Sequence, residues 1–389
     1  MTNEIKKRIE KLKTALNKIS VDLAIITQKV NLYYFTGTLQ NGSLIVPVND
    51  EPYLFIKRDF DRALTESPLN KIYKISNTKD IKRYLSLEKY KNIGFELDVL
   101  PYNQFLKFKE IFNEANIFDI SLELRRLRMY KSEMELEKMV QAGVLLDKTF
   151  DELKSFIKEG MTEIEIAAYL EYLARKNGHM GPVRMRAFNQ EMYFGHVLSG
   201  ESAFYLSYVD SPTSGLGLGS FFPQGASKKR IKNGEVLSID FVFVYEGYMV
   251  DQTRIFSIGE PNEEVKKVFN VALKLMRMLE NEIKSGITCD EFVKKVYEIV
   301  RQHNLIDIFM GTKGKQASYI GHGLGLELDE LPVIAKGVND RLEQNITFAF
   351  EPKFFLHPYG LVGLENTYVM SASGALPLTK NSEDIEIII

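Results

Sequence analysis

The residue that most constrains this chain is Asp240. It stands inside the apolar run Val236-Leu-Ser-Ile-Asp-Phe-Val-Phe-Val-Tyr245, flanked by Ile239 and Phe241. The segment 236–258 reads as strand, turn, strand, with the turn at Glu246-Gly247. A two-residue turn there sets Val242 opposite Asp251 and Asp240 opposite Thr253. Residues two apart on a strand share a face. Asp240 and Asp251 therefore lie diagonally on one face of the pair, about 7–8 Å apart along the backbone. Two carboxylates held together in an apolar strand pair repel, and a fold tolerates this when a cation stands between them. Aspartates at solvent-facing strand ends would need no cation, but the middle of an apolar run is a poor place for such an end.

Three further segments carry the same kind of group. Tyr319-Ile-Gly-His-Gly-Leu-Gly-Leu-Glu-Leu328 sets His322 between glycines, which allow a tight backbone and the close approach of a ligand. Thr347-Phe-Ala-Phe-Glu351-Pro ends an apolar strand on a carboxylate, and Gly363-Leu-Glu365-Asn opens one. Each is unremarkable alone, since a lone His is more often structural than a ligand. Together they give four carboxylates and one imidazole, each in or beside a buried strand.

The rest of the chain supplies two domains. Its 389 residues are long for one core and comfortable for two. In the first third, an amphipathic helix over 3–18 precedes apolar or alternating runs at Val21–Ile26, Asn31–Thr36, Gly42–Val48, Tyr53–Ile56 and Lys91–Phe95, all read as strands. Helices are expected at Arg58–Thr65 and Tyr102–Asn113. That alternation predicts a small α/β domain over 1–125. The charged stretch Ser121–Tyr130 connects it to a second domain over 126–389. There, helices over 133–159 and 163–176 precede β-rich segments at 192–209 and 236–258. Helices over 263–284 and 288–303 then precede β-rich segments at 318–334 and 346–370. Gly160 and the capping box begun by Thr162 mark one helix stop and the next start.

Composition excludes several classes. The net charge of −2 gives no electrostatic support for nucleic-acid binding. The single cysteine, Cys289, allows no intrachain disulfide and no CxxC site, and reads as a small buried hydrophobe. No run reaches about 18 consecutive apolar residues, so no membrane helix is expected, and the N-terminal helix lacks the unbroken apolar core of a signal peptide. A cytoplasmic location is the default expectation. The glycines of 210–225 are spaced G-x-G-x-G rather than as a dinucleotide fingerprint, and 311–315 is not a complete phosphate loop.

The ordered segments resemble the pita-bread metallopeptidase superfamily of methionine aminopeptidases, aminopeptidase P and prolidases. The resemblance rests on Asp240 followed after eleven residues by Asp251-Gln-Thr-Arg, on Gly321-His322-Gly-Leu-Gly-Leu-Glu, on Phe350-Glu351-Pro and on Glu365-Asn-Thr. Asn31-Leu-Tyr-Tyr-Phe-Thr-Gly37 resembles the creatinase-type N-terminal domain. The resemblance implies an α/β N-terminal domain joined to an α+β pita-bread catalytic domain. It implies two divalent cations, with Mn²⁺ or Co²⁺ favoured and Zn²⁺ or Fe²⁺ also suited to the donors. Asp240 would chelate one, Asp251 and Glu365 would bridge both, and His322 and Glu351 would complete the other. Hydroxide held between the cations would attack the carbonyl, with Glu351 shuttling the proton. The substrate class implied is a small peptide cleaved before proline, and the assembly implied is a homodimer. The alternatives are hydrolysis of a small non-peptide amide, as in creatinase and ectoine hydrolase relatives, and a catalytically weakened binding homologue.

The chain departs from the family pattern at three places. Gln224, in Pro223-Gln-Gly225, stands where the family has a catalytic His, and Asp329 stands where it has a second. Gly363 stands where an Arg is often found. Gln224 donates a hydrogen bond but cannot transfer a proton. Asp329 is expected to bind a substrate ammonium or to pair with a cation such as Lys353 or Arg186. His196, in Phe-Gly-His-Val-Leu-Ser-Gly200, is a candidate for the missing imidazole, weighed equally against a hydrogen-bonded strand His. Arg184 and Arg186 are candidates to bind a substrate carboxylate, weighed equally against a solvated loop.

Overall fold

The computed structural model describes residues 2–388. It divides into two compact units, one reaching to Arg128 and one beginning at Met129. In the first, Leu23–Ile26 is fully buried and central, antiparallel to Gly42–Pro47 and parallel to Asn92–Phe95. Tyr53–Ile56 and Lys71–Lys74 extend the sheet on one side and Asn116–Asp119 on the other, giving six strands. A hydrophobic cluster including Leu23, Ile25, Phe55, Ile93 and Phe95 fills one side of it.

Asn31–Thr36, read from sequence as a strand, is helical over Lys29–Thr36. Local hydrogen bonds overrule its aromatic composition. The Gln28 side chain accepts from the Asn31 amide, and Gly37 ends the helix at φ 76°, a left-handed conformation open to glycine. The buried Glu96 carboxylate then fixes the start of the helix. It accepts from the Thr27 and Gln28 amides at 2.7 and 2.9 Å and from Asn31 Nδ2 at 2.6 Å. The connector after the sheet is also helical, over Ser121–Met129.

In the second unit, helices Glu133–Lys154 and Glu163–Lys176 precede strands Gly195–Ser199, Val236–Tyr245 and Tyr248–Ile258. Helices Glu263–Glu282 and Cys289–Gln302 precede the strands of the C-terminal part. Ser132, Thr162 and Thr288 each close a capping box at a helix start. Cys289 is buried, and burial pushes its thiol up to about 12. The β-rich reading of 192–209 holds only for Gly195–Ser199, which runs into a 3-10 turn over Gly200–Phe204.

The long hairpin forms in the expected register. Asp240 faces Thr253 and Val242 faces Asp251. Glu246 and Gly247 have φ of 46° and 90°, the positive values that a tight hairpin turn requires at both central positions. This hairpin lies in a four-stranded sheet between Gly195–Ser199 and Glu386–Ile388. A five-stranded sheet runs Glu330–Ala335, Tyr319–Gly323, Thr347–Phe350, Asn366–Met370, Ala375–Pro377, and a small hairpin pairs Lys353–Leu356 with Gly360–Gly363.

Glu163 pins the first helix pair to the hairpin sheet. Its side chain is fully buried at the first turn of a helix, where the dipole favours a negative charge. It accepts from the Ser199 amide at 2.7 Å, the Ser227 amide at 3.0 Å, and the hydroxyls of Ser199, Ser202 and Ser227. Glu163→Ala leaves two amides and three hydroxyls without this acceptor. We expect it to lower unfolding free energy by about 3 kcal/mol, measured by urea denaturation.

Candidate metal centre

Two strand interiors and three positions at or beside strand ends deliver the ligand candidates to one place. Asp240 and Asp251 come from the long hairpin, and His322 from Tyr319–Gly323. Glu351 follows Thr347–Phe350, and Glu365 precedes Asn366–Met370. His322 pairs with Ala349, which brings the imidazole alongside the strand that ends at Glu351. Thr253 and Glu365 form a backbone bridge between the hairpin and the C-terminal part, and Thr253 Oγ1 donates to Glu365 Oε2 at 2.9 Å. Arg254 clamps the same junction. Its Nη1 donates to the Thr253 and Glu365 carbonyls, and its Nη2 to Asn366 Oδ1 and the Asn381 carbonyl, all at 2.8–2.9 Å. One step along, Asp251 N donates to Thr367 Oγ1 at 2.7 Å, and that hydroxyl donates back to Asp251 O at 3.0 Å.

The five expected ligands are therefore brought together, and they divide into two sides. On one side, His322 Nε2 lies 3.9 Å from Glu351 Oε1, 3.9 Å from Glu365 Oε1 and 4.0 Å from Asp251 Oδ2. Donors to a single cation at about 2.1 Å stand about 3–4 Å from one another, so these separations suit one shared ion. His322 Nδ1 lies 3.2 Å from the Gly323 carbonyl, which accepts its proton and leaves Nε2 with a lone pair turned toward the carboxylates. Asp251 Oδ1 and Glu365 Oε1 are buried and have no hydrogen-bond partner. Orphaned acceptors clustered around a second acceptor are what a cation would satisfy.

The other side is filled. Lys353 Nζ lies 2.8 Å from each of Asp240 Oδ2, Glu351 Oε2 and Glu365 Oε2. Its side chain is 1% exposed. Burial would pull its ammonium down, and the Asp240, Glu351 and Glu365 carboxylates outweigh that and hold it well above the usual lysine range. Burial and the Glu365 and Asp240 charges push Asp251 well up. Burial raises Asp240 too, but the attraction of Lys353 holds it below its ordinary value.

Lys353 was one of the alternative partners expected for Asp329, beside Arg186 and a substrate ammonium. The structure gives its ammonium to Asp240, Glu351 and Glu365 instead, because Glu351 and Lys353 are two apart in an extended segment and share a face. Asp329 accepts from the Arg186 amide at 2.7 Å and the Ala187 amide at 2.8 Å, so it fixes the loop over the site. That loop turns Met185 and Ala187, but neither Arg184 nor Arg186, into the cavity.

His196 sits beside Asp240 on the neighbouring strand. Its Nδ1 is 2.9 Å from Thr213 Oγ1, and its buried Nε2 has no partner. Burial, with Lys353 opposing the attraction of Asp240, holds the ring down to about 4, so it is neutral near pH 7. Gln224 is farther back. Its Nε2 donates to the Glu191 carbonyl at 2.7 Å, and the residue lines an adjoining cavity that shares His196 with the first. Sequence reasoning missed Lys353 as a member of the cluster, although a lysine opening the apolar strand Lys-Phe-Phe-Leu two residues after Glu351 was a visible signal.

The comparisons with known proteins agree with this geometry. Residues 137–372, more than half of the chain, match the metallopeptidase family M24, and residues 8–130 match the creatinase/prolidase N-terminal domain. An Xaa-Pro dipeptidase of Pyrococcus furiosus is 29% identical over 98% of this chain and all of its own length. The solved Xaa-Pro dipeptidase of Bacillus anthracis superposes with a TM-score of 0.84 at 24% identity, covering 99% of this chain and 100% of that one. The X-Pro aminopeptidase of Thermotoga maritima superposes at 0.80 with 27% identity, covering 96% and 100%. With β structure that gathers four carboxylates and an imidazole, and with family matches over residues 8–130 and 137–372, the chain belongs to metallopeptidase family M24.

Proposed function

We propose that this chain is a metal-dependent peptidase that cleaves small peptides at the bond before proline, as a dipeptidase or an aminopeptidase. The observation that carries the reading is the group of His322 Nε2, Asp251, Glu351 and Glu365 with its unpartnered acceptors, opening into a cavity. A divalent cation bound there supplies Lewis acidity, making water nucleophilic near neutral pH and polarising a carbonyl. Mn²⁺ and Co²⁺ are the favoured ions, and the carboxylate and imidazole donors also suit Zn²⁺ or Fe²⁺.

The chain's own residues supply the rest. Glu351 borders the reacting position and is the group that takes and returns a proton. His196, neutral and with a free Nε2, offers a hydrogen bond to the substrate without adding charge. The cavity measures about 140 Å³, close to the volume that holds a benzene ring in other proteins, and fits a ring the size of proline. Met192, Val209, Leu328 and Val333 give it apolar walls. The relatives named for Xaa-Pro cleavage support the same substrate class.

A panel of Xaa-Pro dipeptides and Xaa-Pro-Yaa peptides, given to protein reconstituted with Mn²⁺ or Co²⁺, should show hydrolysis that EDTA abolishes. Turnover of the longer peptides alone would select the aminopeptidase, and turnover of small amides alone would replace the peptidase reading. His322→Ala should remove bound metal and activity together, followed by metal analysis after gel filtration. His196→Ala should keep its metal and lose about 10²-fold in kcat/KM, and unchanged turnover would remove His196 from the machinery.

A further inference from the structure

The cation position against Asp240 already contains a cation made by the chain. An alkylammonium has three N–H donors and no acceptor. Lys353 Nζ meets three carboxylate oxygens at 2.8 Å, one each from Asp240, Glu351 and Glu365. Its donors are saturated by the same groups that a metal on that side would have to claim. A metal there would bind those oxygens at about 2.0–2.2 Å, inside the space that the nitrogen fills.

Each shared carboxylate is split between the two sides. Glu351 and Glu365 turn Oε2 to the ammonium and Oε1 toward His322. The ammonium thus neutralises one edge of the cluster and leaves Asp251 Oδ2 and Glu365 Oε1 facing the imidazole, with Glu365 Oε1 and the other Asp251 oxygen, Oδ1, orphaned.

The backbone makes room for this arrangement. Lys353 pairs across the small hairpin with Gly363. A Cβ on residue 363 would fall 2.8 Å from Lys353 Cα and 3.3 Å from Lys353 Cγ. A larger residue at 363 would press on the lysine where its side chain leaves the strand. The nearest contact of that Cβ, at 2.5 Å, is the Pro352 carbonyl oxygen, so the close hairpin backbone itself calls for glycine at 363.

We propose that Lys353 permanently replaces one of two cations, so that this chain holds a single divalent metal, between His322, Asp251, Glu351 and Glu365. This rests on the metallopeptidase reading and alters its metal count. Asp240 is then a partner of the ammonium rather than a metal ligand. The remaining metal works beside a fixed positive charge that has no orbital to accept a carbonyl oxygen or a water. Carbonyl polarisation would then fall to that one ion.

The test is the number of metals per chain. Full-length wild-type protein is loaded with excess Mn²⁺, desalted, and measured by elemental analysis and by electron paramagnetic resonance. One equivalent per chain with the spectrum of an isolated Mn²⁺ ion is expected. In Lys353→Ala, which empties the space, stoichiometry should rise to two, with the spectrum of exchange-coupled ions. Lys353→Met keeps the bulk without the charge and should remain at one, which separates the space the side chain fills from general damage to the fold. Two equivalents in the wild type would overturn the proposal and leave the peptidase reading standing. No bound metal, together with no metal-dependent hydrolysis, would overturn both. If neither variant folds, the wild-type count and spectrum decide alone.

Discussion

Four carboxylates buried within a few ångströms of each other repel strongly in a low-dielectric interior, and the second unit is organised around relieving that repulsion. Lys353 relieves part of it by giving one proton each to Asp240, Glu351 and Glu365. A buried ammonium without these partners would be severely destabilising, as would the carboxylates without the ammonium. Each side of the cluster therefore depends on the other. The part left uncompensated, at Asp251 and the far oxygen of Glu365, is the part that faces His322 and the cavity. The fold thus leaves its unpartnered acceptors at the cavity.

That arrangement requires two separate pieces of β structure to meet with sub-ångström care. The meeting is achieved by polar groups rather than by continuous sheet pairing. Arg254 bonds to carbonyls on both sides of the junction, Thr253 bridges to Glu365, and Thr367 exchanges hydrogen bonds with the Asp251 backbone. Such supports fix the side chains that hold a cation, much as second-layer partners tune metal sites generally. The apolar cluster beneath, including Phe348, Phe350, Leu364 and Tyr368, supplies the burial that makes these hydrogen bonds expensive to break.

Asp329 and Gln224, which stand where the sequence resemblance implies two histidines, both hold backbone groups. Asp329 anchors a loop through two backbone amides and thereby shapes the cavity wall. Gln224 holds the Glu191 carbonyl and lines the adjoining cavity. Neither residue supplies an ionisable imidazole, and the imidazole nearest Asp240 across the strand pair is His196. The chemistry around the cluster has been redistributed among strand and loop positions that sequence order alone does not connect.

The hairpin register, the helix caps and the five ligand candidates were legible in the sequence because each depends on neighbours a few residues away. Alternation decides which face Asp240 and Asp251 share, Glu246-Gly247 decides the turn, and Thr162 and Thr288 decide helix starts. Asn31–Thr36 was misread as a strand because part of what holds its helix, beyond the local Gln28 and Gly37 caps, comes from Glu96, about sixty-five residues away. Lys353 was visible as a residue, but its partner was not. Which carboxylate a lysine meets depends on where separate strands converge, and that convergence is set by packing and by long-range bonds such as those of Arg254. Sequence determined that this chain carries a set of carboxylate and imidazole ligand candidates, and only the tertiary structure, through the convergence of distant strands, decided that the Lys353 ammonium sits among them.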